Sequence, residues 1–322
     1  MHRHTMLMDW YICCTQLDCM MITLKKYTLL LPILLCVCKL SIVESHATPI
    51  VLWHGMGDSC CFSFSLGAIK KLLEATLPSV YVYSIRLGSD TIEDVEHSYL
   101  GNINEQISEV CQLLSKDERL KDGYNAVGFS QGAQFMRAVI QRCPNPPVLN
   151  FISLGGQHQG VFGFPNCGIL GPKVCNHMIH MIKYAAYLKF IQTKLVQATY
   201  WHDPYQEDEY KKSSIFLSDI NNELRINQTY KDNLQKLRAM VLVKFANDTI
   251  VRPRETEWFG FYKSGQEREV QSLEESDIYR KDRLGLKALH EAGKIHFLSV
   301  PGNHLQFTRG WFVDNIIKPY LM

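Results

Sequence analysis

Three side chains suited to acyl transfer stand far apart in this chain: Ser130, Asp248 and His304. Ser130 is the centre of Gly128-Phe129-Ser130-Gln131-Gly132, a G-x-S-x-G pattern. A serine hydroxyl is a poor nucleophile until a base takes its proton. Histidine, with an unperturbed pKa of about 6.5, can take and return that proton near neutrality. An aspartate can hold the imidazole tautomer and stabilise the imidazolium. The pattern alone is weak, because a serine in a tight strand-to-helix turn can simply pack. The surrounding elements must separate the two readings.

An apolar run (Ala126, Val127, Phe129) leads into the serine and suits a buried strand. Gln131 to Cys143 follows, with Phe135, Met136, Val139 and Ile140 at helical spacing and no internal proline. Strand, sharp turn and helix form the setting in which such a serine is exposed as a nucleophile. The flanking glycines relieve the crowding of that turn. Asp248 follows the apolar segment Met240 to Ala246 after Asn247, and His304 follows Ile295 to Val300. If these segments are parallel strands, their C-terminal ends share one edge, where ligands bind in open sheets. The order Ser, Asp, His is the one expected of α/β-hydrolases. Competing acids such as Asp232 and Asp277 lie in charged stretches. His296 falls within a strand, His290 in a polar helix, and His158 follows a Gly-Gly turn without the strand-end position of the right order.

The first strand, Pro49 to Trp53, runs into His54-Gly55-Met56-Gly57-Asp58. A glycine-rich loop there can aim its amides at one spot, and the residue after the nucleophile supplies a second donor. The backbone N–H groups of Met56 and Gln131 are the candidates for this oxyanion role; a plain glycine turn is the alternative. His54 precedes the serine and is read as shaping the loop.

Further helices are expected over about Phe64 to Leu77 and Asn102 to Leu114, and further strands over Val80 to Ile85 and Leu149 to Leu154. Their alternation implies an α/β fold with a mostly parallel central sheet covered by helices on both faces. The rhythm breaks over about 157–237, which carries Phe162, Phe164, Tyr184, Tyr187, Phe190, Tyr200 and Trp201 but no clear strand. This stretch reads as an inserted, mainly helical cap whose aromatics form its own core or line an acyl groove. A closing helix is expected from about Gln306 to Tyr320.

The chain has 322 residues, is 46% hydrophobic and 20% charged, and carries a net charge of +2. That is ordinary globular composition, and it gives no sign of a nucleic-acid partner. Lys25 and Lys26 precede an apolar run from Tyr27 to Cys38, and Ser45-His46-Ala47 follows. This reads as a secretory signal with cleavage near Ala47, so that 1–47 is signal and upstream segment and 48–322 a single domain. A membrane anchor is the competing reading, but the run is broken by Pro32 and Lys39 and is short for a span of roughly 20 apolar residues. No stable span is therefore expected in the mature chain. Met20 or Met21 could equally be the start. Six cysteines lie beyond the leader: Cys60, Cys61, Cys111, Cys143, Cys167 and Cys175. An even number behind a signal suggests three disulfides, with about 15 pairings open. Paired C-x-x-C spacing is lacking, which argues against a zinc site; no metal and no cofactor are expected. Asn227-Gln-Thr and Asn247-Asp-Thr are glycosylation sequons.

Five blocks together resemble the lysosomal palmitoyl-protein thioesterase family: His54-Gly-Met-Gly-Asp-Ser-Cys-Cys61, Gly128-Phe-Ser-Gln-Gly132, Gly155-Gly-Gln-His-Gln-Gly-Val-Phe162, Tyr200-Trp-His-Asp-Pro204 and Glu257-Trp-Phe-Gly-Phe-Tyr262. The resemblance runs from about Pro49 to Tyr320. It implies an α/β-hydrolase that removes long-chain fatty acyl groups from cysteine thioesters of lipidated proteins. It places the catalytic serine, aspartate and histidine on Ser130, Asp248 and His304, and the oxyanion groups on Met56 and Gln131. It implies disulfides Cys60–Cys61, Cys111–Cys143 and Cys167–Cys175, and a lysosomal destination. Where that family commonly carries a sequon ahead of Ile215-Phe216-Leu217, this chain has Lys211-Lys-Ser-Ser214. The triad chemistry itself serves oxygen esters and thioesters alike. A secreted lipase or carboxylesterase, or a non-catalytic acyl-binding protein of the same fold, are the rival readings.

Overall fold

Alternate residues of the central strands face two different cores. In β1 (Ile50–Trp53), Ile50 and Leu52 enter one apolar cluster, while Val51 and Trp53 enter the other. In β5 (Ala239–Phe245), Val241, Val243 and Phe245 share the first cluster, and Met240 and Leu242 the second. Strands buried on both faces need helices on both faces, because side chains alternate across the pleat.

The computed structural model describes residues 47–163, 182 and 184–322. Besides β1 and β5, the strands are β2 (Val82–Ser84), β3 (Tyr124–Phe129), β4 (Val148–Leu154), β6 (Phe261–Tyr262), β7 (Val270–Gln271) and β8 (Ile295–Val300). Six of them form one sheet in the order β2-β1-β3-β4-β5-β8, every pair parallel. The strands β6 and β7 form a separate antiparallel pair. With this sheet, flanked by helices, the protein has the α/β-hydrolase architecture.

On one face lie α1 (Leu66–Thr76), through Leu66 and Leu73, and the C-terminal helix, through Phe312, Ile316 and Ile317. On the other lie α3 (Ile103–Lys116), through Ile103, Ile107, Val110 and Leu114, and α4 (Gln131–Arg142), through Phe135, Met136 and Val139. The ring of Trp53 meets Phe135 edge-on at 5.3 Å, tying β1 to α4. Each such fully buried side chain contributes roughly 1.5–3 kcal/mol by leaving water. The chain steps outward from β1 to β2, then returns past β1 to β3. That reversal makes the crevice beyond the strand ends of β1 and β3 the natural ligand position.

The sequence expectations for these strands and helices hold to within a few residues. The short α2 (Thr91–His97) was not anticipated; it is started by Asp90, whose side chain accepts from the N–H groups of Ile92 and Glu93. The closing helix starts at Arg309, later than expected, because the Thr308 side chain caps it through the Trp311 N–H. It continues as a wider π-type helix over Val313–Leu321.

Between β4 and β5 the described residues hold short helices, including Lys189–Gln192, Glu207–Ser213, Leu217–Ile220 and Gln228–Gln235. Of the aromatics assigned there, Tyr200 and Trp201 are buried, whereas Tyr184 and Phe190 are 69% and 70% exposed. Arg137 of α4 is fully buried and donates to the Ile220 carbonyl, the Asn221 Oδ1 and the His158 carbonyl, which fastens this region to the helix that follows Ser130. Disulfides join Cys60 to Cys61 and Cys111 to Cys143. The expected Cys167–Cys175 pair, residue Phe164 and the leader before Ala47 lie outside the described residues. Among the described residues no helix is long and apolar enough to cross a membrane.

Candidate active site

Ser130 sits between β3 and α4 with φ 53° and ψ −125°, a conformation that non-glycine residues rarely adopt. The glycines make that turn possible. A Cβ on Gly128 would lie 2.3 Å from the Ala133 Cα, and one on Gly132 would lie 2.3 Å from the His54 carbonyl oxygen. The close crossing of α4 over β1 and β3 therefore leaves no room for any side chain at either position. The hydroxyl of Ser130 is thereby lifted above the strand ends.

His304, on the loop after β8, places Nε2 2.8 Å from the Ser130 Oγ. Its Nδ1 donates to the Asp248 Oδ2 at 2.5 Å. Asp248, on the loop after β5, accepts through Oδ1 from the N–H groups of Ile250 and Val251. Burial alone would raise the Asp248 pKa; hydrogen bonding, that of His304 first, and the charge of His304 outweigh it and hold the group below its usual value. The two loops are braced by Asn303, whose Oδ1 accepts from the N–H groups of Thr249 and His304. Ser130, Asp248 and His304, up to 174 residues apart in sequence, thus form one hydrogen-bonded chain.

The Met56 and Gln131 N–H groups meet no protein acceptor among the described residues. Gly55 packs against Ser130, with an added Cβ falling 3.1 Å from the serine Cβ, so the loop after β1 borders the nucleophile. Around it lies a network that the sequence did not disclose. The Ser98 carbonyl accepts from the side-chain amides of Gln131 and Gln197, and its hydroxyl accepts from the Gly57 N–H. The Gln131 Oε1 also accepts from the Tyr200 hydroxyl at 2.9 Å. One serine at the end of α2 therefore joins the loop after β1, next to Met56, and the Gln131 side chain to the region between β4 and β5.

His54 makes no hydrogen bond to Ser130; its Nε2 bonds the Asp94 Oδ1 at 3.1 Å. Asp94 also accepts from the Ser59 hydroxyl and from the Cys60 and Leu87 N–H groups. Burial pulls the His54 pKa down, but the Asp94 hydrogen bond and charge outweigh it and leave it raised. His54 thus anchors the loop, as expected from sequence. His158 is buried, stacked on Phe259 at 4.5 Å, and bonds the Ser153 hydroxyl; burial holds its pKa well below the usual value, so it is neutral.

Glu257 is the residue whose place beside the site the sequence left unread. It is fully buried, and its Oε2 accepts from the Phe245 N–H at 2.8 Å. Burial first, then the hydrogen bond and charge of Asp248, push its pKa up to about 10. Among the described residues, Asp248, Glu257 and His304 are also the cluster with donor atoms close enough for a metal ion, within 4.8 Å of one another. Each of the three already has a protein hydrogen-bond partner: Asp248 and His304 bond each other, and Glu257 accepts from the Phe245 N–H.

A sequence profile of the family described as palmitoyl protein thioesterase matches residues 49–304. Palmitoyl-protein thioesterase 1 of Caenorhabditis elegans is 52% identical over 296 residues, covering 90% of this chain and 99% of that protein. Palmitoyl-protein thioesterase 3 of Dictyostelium discoideum is 38% identical over 277 residues, covering 86% and 90% respectively. A more distant relative, the lysosomal thioesterase PPT2-B of Xenopus laevis, is 28% identical over 287 residues, covering 87% and 92%. The matched stretch spans Ser130, Asp248 and His304, and on these grounds the chain belongs to the palmitoyl protein thioesterase family.

Proposed function

We propose that this protein hydrolyses long-chain fatty acyl thioesters on S-acylated cysteines of proteins or peptides. The observation that carries the reading is the hydrogen-bonded order Ser130, His304, Asp248 above the strand ends, in a chain of this family. In the acylation step His304 Nε2 takes the Ser130 proton as Oγ attacks the thioester carbonyl. The tetrahedral intermediate places its oxyanion against the Met56 and Gln131 N–H groups, each worth about 3 kcal/mol in sites of this kind. Collapse expels the cysteine sulfur, which takes the proton back from His304 Nε2 and leaves more readily than an alkoxide because a thiol's pKa is only about 8.5. Water, activated by His304, then hydrolyses the acyl-serine and releases the fatty acid.

Residues 1–47 are read as a cleaved leader and upstream segment, and 48–322 as one domain with a cap over about 157–237. A lysosomal destination through the secretory pathway agrees with that leader, with the two sequons and with the name of the Xenopus relative, a lysosomal thioesterase. Both sequon asparagines are exposed. Asn227 uses its Oδ1 to cap a helix through the Thr229 N–H, which leaves Nδ2 available for a glycan.

The test is cleavage of a palmitoyl-cysteine peptide by the purified protein, beside an oxygen-ester analogue and the Ser130→Ala variant. Thioester cleavage that exceeds ester cleavage and falls by at least about 10⁴-fold in the variant supports the reading. Faster ester cleavage would move the protein to the esterase reading. Absence of cleavage, together with absence of fluorophosphonate labelling at Ser130, would leave only a binding role.

A further inference from the structure

We propose that Glu257 is a positioning residue of the triad: a neutral carboxylic acid whose hydroxyl donates to the Asp248 carboxylate and fixes the face that Asp248 presents to His304. The inference rests on the triad reading above and adds a fourth side chain to it.

Three observations carry it. Glu257 is fully buried, and among the described residues no lysine or arginine forms an ion pair with it. Its Oε2 is occupied by the Phe245 N–H, while its Oε1 is buried and meets no donor. That second oxygen is an orphan only if Glu257 is ionised. With a proton, it becomes the donor that the neighbouring carboxylate can accept. Asp248 has room for this bond: a carboxylate offers about four lone-pair sites, and the N–H groups of Ile250, Val251 and His304 take three. Two adjacent carboxylates cannot both ionise in such a site, and Asp248, which faces the His304 N–H, is the one that keeps the charge.

The location of Glu257 is held tightly from both sides. The Thr256 hydroxyl accepts from the Gln159 N–H at 2.8 Å, and the Trp258 indole donates to the Leu242 carbonyl at 2.9 Å. The turn Arg254–Trp258 is thus fastened to β5, the strand that delivers Asp248. The titratable groups facing Glu257 are Asp248 and His304 from the two catalytic loops and Lys244 from β5. The Lys244 ammonium lies 3.9 Å over the Trp258 ring, and its favourable field is too weak to ionise the acid.

The experiment compares the full chain with Glu257→Gln and Glu257→Ala variants by two independent readouts. The first is the pH profile of kcat/KM on the palmitoyl-cysteine peptide. Glutamine keeps the donor to Asp248, the acceptor for Phe245 and the neutral charge, so its rate should stay within about threefold and its acidic limb should not move. Alanine should lower kcat by about tenfold or more with little change in KM. The second is isotope-edited infrared spectroscopy, in which wild type should show a protonated glutamate carbonyl at neutral pH that vanishes in Glu257→Gln. An acidic limb that moves to lower pH in Glu257→Gln would mean that a negative charge had been removed and would overturn the proposal. A missing carbonyl band, or an alanine variant with wild-type kcat, would overturn it too. If Glu257→Ala does not fold, the glutamine profile and the band decide. If the palmitoyl peptide is not a substrate, the function reading fails but the band still tests Glu257.

Discussion

Replacing Glu257 by glutamine should change how stability depends on pH, and the size follows from its burial. The folded pKa is raised from the ordinary 4.5 to about 10. A raised folded pKa means that the native state holds the proton more tightly than the unfolded chain. The associated stability is fully present below about pH 4.5 and is lost as pH climbs toward the folded value. Within that window each pH unit removes about 1.4 kcal/mol. Between pH 5 and pH 7 the wild type should therefore lose about 2.5 kcal/mol through this one residue. The result does not depend on the folded value as long as it stays well above 7. Glutamine cannot titrate, so the variant should lose none of it, while all other groups contribute alike to both proteins. Urea unfolding of both proteins at pH 5 and pH 7, followed by tryptophan fluorescence, measures the four free energies needed. The variant should gain on the wild type by about 2.5 kcal/mol between the two pH values. Parallel pH dependence in the two proteins would show that Glu257 is ionised in the native state and would refute the reasoning.

Other outcomes follow from the same geometry. Gly132→Ala places a Cβ 2.3 Å from the His54 carbonyl oxygen and should cost more than about 3 kcal/mol or abolish folding, which thermal unfolding would reveal. Asp248→Asn leaves the shape but presents the wrong partner to His304 Nδ1, so kcat should drop by about 10⁴-fold in a thioester assay with the fold intact by circular dichroism. Asp94→Asn should destabilise by about 3 kcal/mol in urea, because Asp94 is buried and accepts from three donors besides His54. The raised His54 pKa gives stability that is present below about pH 6.5 and lost as pH rises through the folded value; that falling slope should be weaker in Asp94→Asn than in wild type.

The three triad candidates were legible because each stands at the end of an apolar run, and strand ends of a parallel sheet must gather at one edge. Burial on both faces of the strands and the helical spacing after Ser130 likewise follow from local pattern, so element types and order could be read along the chain. The residues that refine the site could not. Glu257 lies in a short turn without periodicity, and its role depends on Asp248 nine residues earlier being folded back onto it. Ser98 reaches Gln131 and Gln197 across 33 and 99 residues, and Asp94 reaches His54 across 40. Hydrogen bonds of this kind are chosen by whichever polar groups packing strands in one dry place, where each must find a partner. Nothing in linear spacing encodes that choice. The sequence by itself determined the main strands, their order along the chain and three candidate side chains at their ends; the tertiary structure alone decided which buried neighbours meet them, because burial, and with it the raised pKa of Glu257, exists only once the chain has closed around the site.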